Sequence, residues 1–255
     1  MKIVALAVLA STVTGSAFAA DMALKAPVAP AAAATWTGLY GGINAGAAWW
    51  SSSMAEQTIN VGAPVGPIAY PSTTATQAAG GFQAGYNWQF SPQWVAGVEG
   101  DFSFASLNNS GPSTVIPGAG GNFVAMNESV QWLATARGRF GYVFGSTLWY
   151  ATGGVAWERA NYTGTTAFAA APAIANTSFT RTNTGWVAGG GVEYMATQHV
   201  LMRVEYLYYG FRDQSAAAVC TIAGVVACGP PNLTSTYAWN NNNIQEIRAA
   251  LSYKF

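Results

Sequence analysis

Residues 81–90 read Gly81-Phe82-Gln83-Ala84-Gly85-Tyr86-Asn87-Trp88-Gln89-Phe90. Phe82, Ala84, Tyr86, Trp88 and Phe90 share one parity; Gln83, Gly85, Asn87 and Gln89 share the other. A strand sends successive side chains to opposite faces. One face of this segment is therefore wholly apolar and ends in aromatic rings. The other is polar or glycine. Strict alternation of this kind is the period of a β-strand and not of a helix.

The same pattern recurs along the chain. Trp94, Ala96, Val98, Phe102 and Phe104 oppose Glu99, Asp101 and Ser103. Val130, Trp132, Ala134, Ala136, Phe140 and Tyr142 oppose Gln131, Thr135, Arg137 and Arg139. Trp149, Ala151, Val155 and Trp157 oppose Tyr150, Thr152, Gly154 and Glu158. Trp186, Ala188, Val192 and Tyr194 oppose Gly189, Gly191 and Glu193; Val200, Met202, Val204, Tyr206 and Tyr208 oppose Arg203, Glu205 and Tyr209. Ile247, Ala249, Leu251, Tyr253 and Phe255 oppose Glu246, Arg248, Ser252 and Lys254. With a weaker run over 39–50, eight strands of about ten residues are expected, the length that crosses a bilayer when tilted.

The connections alternate in length. Ser91-Pro92-Gln93, Gly145-Ser146 and Ala196 to His199 read as short turns. Residues 51–76, 105–129, 159–183 and 210–243 are rich in Ser, Thr, Asn, Gly, Ala and Pro and read as long loops. An even strand number with alternating short and long connections predicts an all-β, eight-stranded antiparallel transmembrane β-barrel, with short periplasmic turns and long extracellular loops. A soluble sandwich rarely carries four loops of that length.

Composition decides which face is wet. The 255 residues are 51% hydrophobic and 13% aromatic, but only 8% are charged, with 10 basic and 10 acidic side chains. Such a chain is too aromatic to be disordered and too neutral to bind nucleic acid. In a soluble sandwich the non-apolar face would carry the charge, yet here it is mostly Gly, Ser, Thr, Asn and Gln. Aromatic rings at strand ends, among them Trp49, Trp50, Trp88, Trp94, Trp132, Trp149, Trp157, Trp186, Tyr194 and Tyr206, instead suit the two interfacial girdles of a lipid-facing band.

If the apolar face meets lipid, the strand charges point inward. They are Glu99, Asp101, Glu158, Glu193, Glu205 and Glu246 against Arg137, Arg139, Arg203, Arg248 and Lys254. An eight-stranded barrel is only wide enough for side chains to fill it, and buried charges must be paired. A salt-bridged polar core is expected, not an open pore. Interior glycines such as Gly97, Gly141, Gly154, Gly189 and Gly191 would make room for Arg heads or Tyr rings.

The N-terminus reads as a targeting segment. Lys2, an apolar run from Ile3 to Ala10 and Ala17-Phe18-Ala19 fit a signal peptide over residues 1–20, cleaved near Ala19 or Ala20. An Ala/Pro-rich periplasmic leader follows over 21–35, and the barrel over 36–255. Cys220 and Cys228, in the last long loop of an exported chain, are expected to form a disulfide. No metal, cofactor or enzyme activity is expected: the single His199 falls in a turn, and there is no phosphate-binding loop. Haem would need a loop ligand such as Tyr70, Met54, Met126 or Tyr237, and nothing selects among them. The final strand, ending Tyr253-Lys254-Phe255, resembles the signal read by the outer-membrane barrel assembly machinery.

Several segments also resemble one family in order. They are Trp36-Thr37-Gly38-Leu39-Tyr40-Gly41-Gly42, residues 81–88, Gly97-Val98-Glu99-Gly100-Asp101, Ala136-Arg137-Gly138-Arg139-Phe140-Gly141-Tyr142, residues 150–156, 189–194 and 203–206. They are similar to the small Gram-negative outer-membrane proteins called outer-membrane immunogenic or porin-family proteins, which belong with the OmpA-like barrels. That resemblance implies an outer-membrane surface antigen with a structural role in the envelope. It leaves open a small porin, or an adhesin or haem binder acting through its loops. The partners it implies are outer-membrane lipid, the assembly machinery and an extracellular or host ligand.

Overall fold

The computed structural model describes residues 35–60, 64–65, 68–69, 73–110, 114–115, 123–168, 173–222, 225–226 and 234–255. The expected signal peptide and most of the expected leader lie outside the described residues. Eight long strands make up the fold: β1 (Gly38–Asn60), β2 (Thr73–Ser91), β3 (Trp94–Ser110), β4 (Phe123–Phe144), β5 (Thr147–Phe168), β6 (Ala173–Met195), β7 (Val200–Gly210) and β8 (Thr234–Lys254). A continuation of β7, Gln214–Ile222, follows a three-residue break. Each strand pairs antiparallel with the next, and β1 closes the sheet on β8 with Tyr40 opposite Lys254 and Trp50 opposite Ile244. The result is a closed barrel.

Three tight connections gather at one end, here the lower end, where the sequence places them. Gly145 takes a left-handed φ of 61°, the conformation a two-residue hairpin demands. Val143 N donates to Gln93 O at 2.7 Å and Met195 N to Ser146 O at 2.9 Å, tying neighbouring turns together. Phe255 N donates to Leu39 O at 2.9 Å, so both ends of the barrel chain are fixed at this rim.

Around the lower half the outward side chains are apolar. Leu39, Ile43, Phe82, Trp88, Val98, Phe140, Trp149, Met202, Val204 and Leu251 are all exposed, Val98 by 64%. In water this belt would be untenable as a contiguous patch; in lipid it is the required surface. Rings pair across strands within it, as Trp94 stacks on Phe140 at 5.0 Å and Phe102 on Trp132 at 5.5 Å.

The strands run well past this belt. Much of 51–76, 105–129, 159–183 and 210–243, expected as loops from composition, is extended and paired. Above the belt the alternation inverts. On β5, Asn161, Thr163 and Thr165 face out, while Ala160, Tyr162 and Thr166 are buried inside. Outside lipid the outer face must be polar and the inner face can be apolar, as in a soluble barrel. A β-bulge helps: the register shifts against both neighbours between Val130 and Trp132, which changes the parity of β4, while β3 keeps its alternation through Ala105 and Leu107. Val130, expected on the outer face with Trp132, is therefore fully buried. Trp50 likewise lies inside, not in the outer girdle.

Candidate functional site

The lumen is filled in three tiers. At the lower rim Trp36, Tyr40, Val95, Leu148, Tyr150, Met195 and Leu201 pack together. In the upper barrel Trp50, Tyr162, Tyr209, Tyr237 and Trp239 are each at most 1% exposed and pack with Met54, Leu107, Met126 and Leu133. Tyr162 stacks on Phe179 at 4.9 Å and meets Trp239 edge-on at 5.2 Å. Met54, Met126 and Tyr237, candidates for a loop-borne haem ligand, belong to this apolar tier. Tyr70 lies outside the described residues.

Between the apolar tiers stand eight buried charges. The strand alternation that turns Phe82 and Val98 outward turns Glu99 and Asp101 of β3, Arg137 and Arg139 of β4, Glu193 of β6, Arg203 and Glu205 of β7 and Arg248 of β8 inward. Register brings Glu99 opposite Arg137, Arg203 opposite Glu193 and Glu205 opposite Arg248.

Their contacts close two rings. In the first, Glu99 meets Arg139 at 3.4 Å, Arg139 meets Glu193 at 2.8 Å, Glu193 meets Arg203 at 2.9 Å, and Arg203 returns to Glu99 at 2.7 Å. In the second, Arg137 meets Asp101 at 2.9 Å and Asp101 meets Arg248 at 3.1 Å. Arg248 Nε then donates to Glu205 Oε2 at 2.9 Å, and Glu205 returns to Arg137 at 3.0 Å. The Arg137–Glu99 pair at 2.5 Å joins the rings. Four cations balance four anions, so the cluster is neutral, the condition on which buried charge is tolerable.

Neutral groups complete it. Tyr40 donates to Glu99 at 2.6 Å, Tyr150 to Glu205 at 2.8 Å, and Thr135 to Asp101. The Arg139 guanidinium lies 4.1 Å from the Tyr150 ring centroid, a cation–π contact. Glycine makes the space. A Cβ on Gly191 would stand 2.7 Å from Tyr150 Oη, and a Cβ on Gly97 2.6 Å from Asn87 Oδ1. Beside the rings, Asn44 Nδ2 donates to Gln83 Oε1 at 2.7 Å and Gln83 Nε2 to Ser252 Oγ at 3.0 Å.

Two carboxylates expected in the ion-pair network stand apart from it. Glu246 points inward but accepts from Tyr209 Oη at 2.7 Å. Glu158 accepts from Asn183 Nδ2 at 2.9 Å, within the upper tier. Neither makes an ion pair among the described residues: strand parity set their direction, but Glu158 stands in the upper tier, and Arg248, the inward neighbour of Glu246 on β8, turns its head to Asp101 and Glu205. Tyr40 and Tyr150 join the network as individual ligands beyond the expected charges. Their signal was present, since both share the parity of the inward charges.

Lys254 Nζ donates to Thr35 O at the lower rim. His199 Nδ1 is 2.8 Å from Lys254 O and its ring stacks on Tyr253 at 5.4 Å. Phe255 projects outward, 76% exposed. Cys220 lies in the continuation of β7, opposite Ala175 in register. Cys228, and with it the expected disulfide, falls outside the described residues.

Comparison with known proteins agrees with this architecture. The chain matches the family described as outer membrane protein beta-barrel domain over residues 10–255. It is 32% identical over 268 residues to the 31 kDa outer-membrane immunogenic protein of Brucella melitensis, covering 100% of both chains. With the 22 kDa outer membrane protein of Rhizobium leguminosarum bv. viciae it shares 30% identity over 193 residues, covering 75% of this chain and 71% of that one. Among solved structures, OprG from Pseudomonas aeruginosa superposes with a TM-score of 0.54 at 16% identity, covering 86% of this chain and 96% of that one. The outer membrane protease OmpT from Escherichia coli gives 0.52 at 8% identity, covering 86% and 97%. At those identities the likeness is one of fold. The sequence match and the lipid-facing belt lead to one assignment: the chain belongs to the outer-membrane β-barrel protein family and is an outer-membrane protein.

Proposed function

We propose that this protein is a closed structural barrel of the outer membrane: it stiffens the envelope and carries its upper strands and loops beyond the bilayer as a surface antigen. The observation that carries this reading is the pair of joined ion-pair rings across the lumen, packed between two apolar tiers. A conducting eight-stranded barrel would need a continuous path of water. Here a path would have to part charge pairs at 2.5–3.4 Å and then cross buried Trp and Tyr.

The carboxylates are read as structural for the same reason. Glu99 is held by three guanidiniums and Asp101 by two, which leaves neither free for acid–base chemistry. In this reading the last strand, with Tyr253 and Phe255 outward, engages the barrel assembly machinery during insertion, and any extracellular ligand is met by the upper extensions. Proteoliposome swelling tests the proposal against a small-porin role. Vesicles containing the folded barrel should swell no faster in small sugars than empty vesicles. Swelling that rises with protein content would replace the structural reading with a porin.

A further inference from the structure

The barrel wall has a window. β6 and β7 are paired from Met195 opposite Leu201 up to Trp186 opposite Gly210. They meet again only at Asn176 opposite Val219. Between these points the chain leaves the ladder at Phe211–Asp213, and Gln214 to Ala218 pair with β8 alone. The β6 edge from Thr177 to Gly185 thus has no ladder partner on that side. A cavity of about 720 Å³ opens there, lined by Arg181, Thr182, Thr184, Trp186, Phe211 and Arg212 among others.

Its height is set by the girdle. Outward on β6 come Tyr194, Val192, Ala188 and Trp186, and then Thr184 and Thr182. Outward on β5, Arg159 follows Trp157 and lies opposite Thr182 in register. An interfacial Trp marks the headgroup level, so the window begins where lipid headgroups begin. Trp186 also meets Tyr208 in a tilted ring contact, centroids 5.4 Å apart, on the lipid side of the opening.

The charge distribution is one-sided. Arg137, Arg139, Arg203 and Arg248 belong to the lumen rings and Lys254 to the lower rim. The other Lys and Arg side chains among the described residues are Arg159, Arg181 and Arg212. All three are exposed; Arg181 and Arg212 line the window, and Arg159 lies one strand away on β5, opposite Thr182 of the window edge. On other strands the outward residues at this level are uncharged, such as Ser51, Thr76, Gln131 and Gln245. Arg181 Nη1 donates to Gln214 Oε1 at 2.9 Å across the gap, which occupies one of its five donors. Asp213 lies on the same rim and is itself partnered.

We propose that the window binds the phosphate-bearing headgroup of an outer-leaflet lipid. Guanidinium forks match phosphate oxygens in pairs, and the free β6 edge offers backbone N–H donors beside them. Trp186 and Tyr208 receive the upper part of the acyl region, where amphipathic rings are favoured. The inference rests on the placement of the barrel in the outer membrane and is independent of whether the lumen conducts.

The test uses the full-length barrel, folded in neutral maltoside detergent and verified by heat-modifiable mobility. The probe is diphosphorylated lipid A, followed by native mass spectrometry. One lipid per barrel should be retained, with its dephosphorylated form held far more weakly. The Arg181→Gln/Arg212→Gln variant should weaken retention about tenfold or more, Arg159→Gln should weaken it less, and Lys at positions 181 and 212 should restore part of it. Equal retention by wild type and the double Gln variant, or of the dephosphorylated lipid, would overturn the proposal. So would displacement by equimolar inorganic phosphate, which would make this a free-phosphate site.

Discussion

Arg137 is the joint of the lumen cluster: one of its nitrogens, Nη2, lies 2.5 Å from Glu99 Oε1 and 2.9 Å from Asp101 Oδ2. Its other head nitrogen, Nη1, reaches Glu205 at 3.0 Å, and Nε donates to Thr135 Oγ1 at 3.0 Å. The guanidinium therefore spends its planar fork on both rings at once. Arg137→Gln strips the charge and leaves three carboxylates short of a partner. Losing one member of a buried ion pair costs about 3–5 kcal/mol. Urea unfolding in detergent, followed by tryptophan emission, should show a midpoint shift of that size. Arg137→Lys should lose part of it, because an ammonium cannot serve three acids in one plane.

The rings also predict non-additivity. Glu99→Gln alone leaves Arg137, Arg139 and Arg203 with one acid fewer; Glu99→Gln with Arg137→Gln restores neutrality. The double variant should be more stable than the sum of the two single losses, with a coupling on the order of 0.5–3 kcal/mol. Additive losses in a double-mutant cycle would mean that the pair is not energetically joined.

Glu246 and Glu205 provide an internal contrast. Both are buried inward carboxylates, but Glu246 accepts from a tyrosine and Glu205 is held by Arg137 and Arg248. Glu246→Gln keeps an acceptor for Tyr209 and should cost no more than about 1.5 kcal/mol. Glu205→Gln should cost about twice that or more. Equal losses in the same unfolding assay would count against the assignment of Glu246 outside the rings.

Much of this was legible in the sequence, and the reason is the period. Over Phe82–Phe90 and Trp94–Phe104 the outward face must be apolar to meet lipid, so the alternation declares itself, and the inward parity of Glu99, Asp101, Arg137 and Arg139 follows. What parity cannot convey is height. Glu158 and Glu246 share the inward direction but stand at levels without a free guanidinium. Above Trp157 and Trp132 the outer face turns polar, so Asn161, Thr163 and Ser129 read as loop although they lie in strands. The bulge between Val130 and Trp132 then reverses the parity of β4 with no mark in the sequence.

Gly191 offers a steric test. A methyl there would stand 2.7 Å from Tyr150 Oη and 2.6 Å from Val204 O, so Tyr150 must swing away from Glu205. Gly191→Ala should destabilise the barrel by about 1–3 kcal/mol, the usual cost of overpacking. Combining it with Tyr150→Phe, which removes the displaced hydroxyl, should recover part of the loss.

The central claim is the closed lumen, and single-channel recording of the folded, heat-modifiable barrel in planar bilayers tests it most directly. The wild-type protein should leave the bilayer electrically silent at neutral pH. Steady, reproducible conductance steps that scale with inserted protein would contradict it, because current through this barrel requires the Arg137–Glu99 joint and the Trp50–Trp239 tier to open.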